Sequence, residues 1–154
     1  MKIRTIALTM VLCFMAVGVG FASDANLGTW KLNEAKSKIP AGAVKNTMVM
    51  YEAMGDTLKV TVDGVDGDGK ATHNEWTGKF DGKDYPLVGD ATADSRSYKK
   101  VNDHTTDLIN KKDGKVTLSG QIVISADGKS RTLTVSGTDA MGKKFKYAAV
   151  YDKQ

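Results

Sequence analysis

Carboxylates at alternate positions stand out in Asp63-Gly-Val-Asp66-Gly-Asp68-Gly, because that spacing suits a hard cation held by oxygen. A calcium loop of the helix–loop–helix type needs oxygen donors at its first, third and fifth positions and glycine at its sixth. Counting from Asp66, the fifth and sixth are Lys70 and Ala71; counting from Asp63, the third is Val65. The register fails from either start, and the segment reads as a polar hairpin loop. His73 and Glu75 share one face of their segment, but a zinc site needs three or four ligands, and His104 follows a turn-like Asn102-Asp103. Both histidines read as surface residues. Met48-Val-Met50 places two thioethers on one face, a soft pair of the kind copper(I) prefers, without the repetition of a dedicated carrier. Methionines that fill a core or line an adaptable cavity are the better account, with Met50 the cavity candidate.

Catalysis finds little support. No Gly-x-Ser-x-Gly occurs, no histidine neighbours a plausible serine motif, and the glutamates are only Glu34, Glu52 and Glu75. The glycines follow aspartates and serve turns, so no phosphate-cradling loop is present. The expectation is a non-enzyme with no cofactor and no metal. Binding residues are sought among bulky or amphipathic side chains on strand faces. Trp76 and Phe80 share a face, as do Arg96 and Tyr98, and Phe145, Tyr147 and Tyr151 share one on the final segment. The candidate cavity lining is Met50, Trp76, Phe80, Arg96, Tyr98 and Tyr147, with Arg96 beside Tyr98 as the handle for a polar ligand head. The competing account makes the aromatics a filled core and turns Arg96 to water.

The elements that must position these residues are strands. Asp-Gly pairs at 63–64, 66–67, 68–69, 81–82, 113–114 and 127–128 supply the positive backbone angles of tight hairpin loops. Between them run Val-, Thr-, Tyr- and Ile-rich segments of period two: Leu58, Val60 and Val62 against Thr57, Lys59 and Thr61, and Val116, Leu118, Ile122 and Ile124 against Thr117, Ser119 and Gln121. Nine or ten antiparallel strands are expected, with one helical turn near Glu34–Ser37. A meander of that length closes into a barrel of about 8–10 strands or folds into a two-sheet sandwich, since open edges invite aggregation. A closed barrel of this size is filled by side chains or holds one small ligand.

The chain opens with a tripartite export signal: Lys2 and Arg4, an uncharged apolar run from Ile6 to Phe21, and the small residues Gly20 and Ala22 at the exit. The expected division is a signal peptide over 1–22 and a single domain over 23–154, exported to the periplasm or secreted, with no stable membrane anchor after cleavage. The sole cysteine, Cys13, falls inside the signal; Leu12 before it argues against lipidation. Loss of Lys2 and Arg4 lowers the net charge from +4 to +2, and lysines alternate with aspartates thereafter, so no nucleic-acid partner is expected.

Gly28-Thr-Trp30 on the first strand, the closing Val150-Tyr-Asp-Lys153 and the even hairpins between them resemble the calycin superfamily, in particular small bacterial exported lipocalin-like proteins. The resemblance spans 23–154. It implies a barrel plugged at one end by Trp30 and entered at the other by a small lipophilic ligand. This sequence departs from the lipid-binding pattern in reading Ala149-Val150-Tyr151 where those relatives place Arg-x-Tyr, and it lacks the paired cysteines of secreted lipocalins.

Overall fold

The computed structural model describes residues 24–139 and 141–154; the export signal and Cys13 lie outside them. Ten strands follow in order: β1 Gly28–Leu32, β2 Lys45–Met54, β3 Thr57–Val65, β4 Ala71–Gly78, β5 Tyr85–Val88, β6 Ser95–Asn102, β7 Thr105–Lys112, β8 Lys115–Ile124, β9 Ser130–Thr138 and β10 Lys144–Lys153. A 3-10 turn over Glu34–Lys36 lies between β1 and β2, capped by the Asn33 side chain, where the sequence predicts one helical turn. Each strand pairs antiparallel with its neighbour in sequence, and β1 closes on β10. The molecule is therefore a closed antiparallel meander barrel, not a two-sheet sandwich. Among the described residues, no helix is long and apolar enough to cross a membrane.

Turn chemistry sets the hairpins. Asp113 and Gly114 both adopt positive φ, 49° and 76°, as a two-residue hairpin loop requires. One Asp-Gly pair does something else: Asp63-Gly64 lies within β3, not at a turn. A Cβ on Gly64 would stand 2.3 Å from the Lys45 carbonyl oxygen, so glycine there permits the close approach of β2 at its bulge. The Asp66 carboxylate accepts the backbone N–H groups of Asp68 and Lys70, which accounts for the acidic segment as turn chemistry.

Alternation fixes what faces inward. The inward set includes Val49 and Tyr51 of β2, Val60 and Val62 of β3, Trp76 of β4, Arg96 and Tyr98 of β6, Leu108 of β7, Ile122 and Ile124 of β8, Leu133 and Val135 of β9, and Ala149 and Tyr151 of β10. That settles β10: Phe145, Tyr147 and Tyr151 face inward with Ala149, and Lys144, Lys146 and Val150 keep the outward step. Weakest in the wall is β5, which pairs with β4 through only Glu75↔Val88 and Trp76↔Leu87. The loop before it adds pairing to β6, with the Gly82 N–H donating to the Tyr98 carbonyl at 2.8 Å.

Candidate functional site

One half of the interior is solid. Trp76, Phe80 and Tyr98 form its centre: the Phe80 and Tyr98 rings stack at 4.8 Å, and Trp76 meets Tyr98 edge-on at 4.8 Å. Tyr51 and Tyr85 add further edge contacts. The Trp76 indole N–H donates to the Arg96 carbonyl at 2.8 Å, so its polar edge is satisfied inside the wall. The predicted hollow around Trp76 and Tyr98 is thus a packed aromatic cluster, because five rings converge from β2, β4, β5, β6 and the loop between β4 and β5. Arg96 does face inward beside Tyr98, yet its groups are held by protein. Nε donates to Asn110 Oδ1 at 2.8 Å, Nη1 to the Tyr98 hydroxyl at 3.4 Å, and Nη2 lies 4.0 Å from Asp90.

A second buried guanidinium, Arg131, escaped the sequence reading although it keeps step with the inward Leu133 and Val135. It is 2 % exposed and lies over Trp30, Tyr51 and Tyr151 at 5.2, 5.0 and 4.8 Å from their centroids. Its Nη1 donates to the Tyr51 hydroxyl at 2.8 Å, and its Nε has no partner among the described residues. No carboxylate pairs with it among the described residues, so the three rings supply the negative face that solvates the cation. Trp30, fully buried, donates its indole N–H to the Asn26 carbonyl at 2.8 Å. Burial raises the Tyr98 and Tyr151 phenols well above the ordinary tyrosine range, and both stay neutral across physiological pH.

The open space lies elsewhere. A hollow of about 300 Å³ is lined by Val116, Thr117, Leu118 and Ser119 of β8, Ser136, Gly137 and Thr138 of β9, and Lys144 and Phe145 of β10. Consecutive residues on each strand line it, so both faces of the wall contribute. Pairing explains the position. The β8–β9 ladder ends at Leu118↔Gly137, whereas β8 runs back to Lys115 against β7 and β9 runs on to Thr138 against β10. The two strands part there and leave a notch in the wall. Gly137 lines it without adding bulk: a Cβ would sit 2.4 Å from the Thr117 carbonyl oxygen and 2.6 Å from the Phe145 ring, so glycine permits their close packing against the β9 backbone.

The notch has an apolar floor and a polar rim. Leu118 and Phe145 are half-buried, and Phe145 stacks on Tyr147 at 6.0 Å. Tyr147 is the one candidate from the sequence that stands at this end, inward and half-buried, with burial raising its phenol. Met50 is on neither surface. It alternates with the buried Val49 and Tyr51 and therefore lies on the outer face, opposite Thr29 and Thr61; the inward position expected for it is corrected by strand parity. Leu118 was visible in the sequence only as one of four alternating apolar residues, and nothing in composition marks where a ladder stops.

His73 lies on the outer face, its Nδ1 2.6 Å from Asp63 Oδ1 and its Nε2 3.6 Å from Glu75 Oε1. Glu75 is also paired with Lys59 at 2.9 Å. The hydrogen bond with Asp63, and secondarily the charges of Asp63 and Glu75, raise the His73 imidazole above its ordinary value.

No family model matches this chain, and no curated protein matches it. Solved structures similar to it include EF1p2_mFAP2b bound to DFHBI, 12% identical over 86% of this chain and 97% of that one with a TM-score of 0.49. A redesigned β-barrel, mFAP1, bound to DFHBI is 17% identical over 86% and 98%, with a TM-score of 0.44. Lobster apocrustacyanin A1 is 13% identical over 84% of this chain and 61% of that one, with a TM-score of 0.38. These likenesses carry nothing about ligand or activity.

Proposed function

We propose that this protein is an exported, non-catalytic barrel that binds or carries a small hydrophobic or amphipathic molecule at the notch between β8 and β9. The observation that carries the reading is the hollow of about 300 Å³ with Leu118 and Phe145 as its floor and hydroxyls and Lys144 on its rim. An apolar lining with a few polar groups is the usual composition of a small-molecule site, and this volume is at the lower end of the roughly 300–1,000 Å³ such sites occupy. A compact ring system suits it better than a long acyl chain. The resemblance to calycins supports a carrier role, and the Lys2/Arg4 start with the apolar run to Phe21 supports export.

The test is a fluorescence titration with a panel of neutral apolar probes, 1-anilinonaphthalene among them. Wild type is expected to give a saturable response with at least one probe. Leu118→Trp, which places an indole in the notch, is expected to weaken that probe by about tenfold, or about 1.4 kcal/mol. No saturable response across the panel, or unchanged affinity in the variant, would remove this reading. Export is checked by the mass of the protein recovered from the envelope or medium of a bacterial host producing the full chain. Loss of residues 1–22 is expected, and an intact amino terminus would contradict it.

A further inference from the structure

We infer that the notch selects anionic amphiphiles, holding a compact oxyanion head (sulfonate, phosphate or carboxylate) on Lys144 and Lys146 while the ring system lies on Leu118 and Phe145. This rests on the notch being the binding site proposed above.

The strand register builds the head-group position. Across β8, β9 and β10, Ser119 stands opposite Ser136, and Ser136 opposite Lys146. One step toward the barrel end, Thr138 stands opposite Lys144. Ser119, Ser136, Thr138, Lys144 and Lys146 all keep the outward, exposed parity of their strands. Two adjacent rows therefore each place at least one hydroxyl-bearing residue opposite a lysine, and four of these five residues line the hollow itself. Residues directly opposite in an antiparallel ladder have Cβ atoms about 4.5–5.5 Å apart and diagonal neighbours about 7–8 Å, a gap that two long lysine side chains span, so one oxyanion is in reach of both ammonium groups.

The charges there are unspent. Five lysines elsewhere on the barrel are matched, Lys45 with Glu34, Lys59 with Glu75, Lys79 with Asp56, Lys100 with Asp103 and Lys111 with Asp84. Among the described residues, no carboxylate pairs with Lys144 or Lys146. The acid closest in sequence, Asp139, accepts the backbone N–H groups of Met141 and Lys143 and is committed to its own turn. An anion on the ammonium groups would thus gain charge-assisted hydrogen bonds without displacing an existing ion pair. The apolar part of the same ligand lies on Leu118 and Phe145, which line the same hollow as Lys144.

The test compares two probes with one ring system, 1-anilinonaphthalene and its 8-sulfonate, at low ionic strength. The sulfonate is expected to bind wild type about fivefold more tightly than the neutral probe, with the advantage shrinking as salt screens it. In the double variant Lys144→Gln, Lys146→Gln the advantage is expected to vanish while neutral-probe affinity stays as in wild type. Lys99→Gln, on β6, is expected to change neither. Equal affinities in wild type, or an advantage that survives in the double variant, would overturn the inference and leave the notch as a neutral site. If neither probe saturates, the binding reading itself fails and this inference with it.

Discussion

The aromatic core and the notch in the wall use the same kinds of side chain for opposite ends. Around Trp30, Trp76 and Tyr98 the rings are buried, in contact with each other, and their polar edges are bonded to the chain or to a guanidinium. Around Leu118 and Phe145 the apolar surface is half-buried, and the wall parts beside it. Burial and bonded ring edges make the first region a source of stability with no space to offer. Half-exposure makes the second poor in stability but open to a ligand, since apolar area left in water at rest is area a ligand can cover.

That contrast predicts unequal costs for similar truncations. Trp76→Ala, which removes a buried indole and three ring contacts, is expected to destabilise the barrel by about 3–5 kcal/mol. Phe145→Ala, at a half-buried ring, is expected to cost only about 1–2 kcal/mol. Denaturant titration of both variants checks the pair, and equal losses would erase the distinction between the two regions. Next in size is Arg131→Lys. A lysine ammonium cannot lie flat against Trp30, Tyr51 and Tyr151 and donate to the Tyr51 hydroxyl in the same pose, so a loss of about 2 kcal/mol is expected in the same assay. A neutral outcome would mean that the rings do not solvate the cation.

The smallest effect belongs to the outer face. His73 is raised by Asp63, so its contribution to stability is present below the unfolded imidazole value and is lost as pH rises through the folded one. The NMR titration midpoint of His73 is expected above 6.5, and Asp63→Asn is expected to lower it toward that value. A midpoint indifferent to Asp63→Asn would contradict the hydrogen bond as cause.

Much of the barrel was legible in the sequence because period two and Asp-Gly turns are local signals. Ten strands and the 3-10 turn at Glu34–Lys36 follow from them, and the Asp63-Gly64 and Asp66-Gly67 pairs misled, since neither glycine takes a positive φ and each permits a close backbone approach. Of the binding candidates, the sequence marks Tyr147 as a strand-face aromatic, and Arg96 and Tyr98 as neighbours on one face. Their surroundings were not legible, because whether a ring meets space or another ring depends on strands far away in the chain. Met50 shows the parity problem: one step along β2 separates it from the buried Tyr51, and no flanking residue marks which step is inward. Arg131 had a readable parity but the wrong residue type for a core, and only three converging rings make that position tolerable.

The notch is the place where a ligand is expected to sit. Mapping backbone amide chemical shifts during titration with 1-anilinonaphthalene tests this directly. Changes centred on residues 116–119, 136–138 and 144–145 are predicted, with the amides of Trp76 and Tyr98 left in place. Changes centred on that aromatic cluster, or spread evenly over the surface, would contradict it.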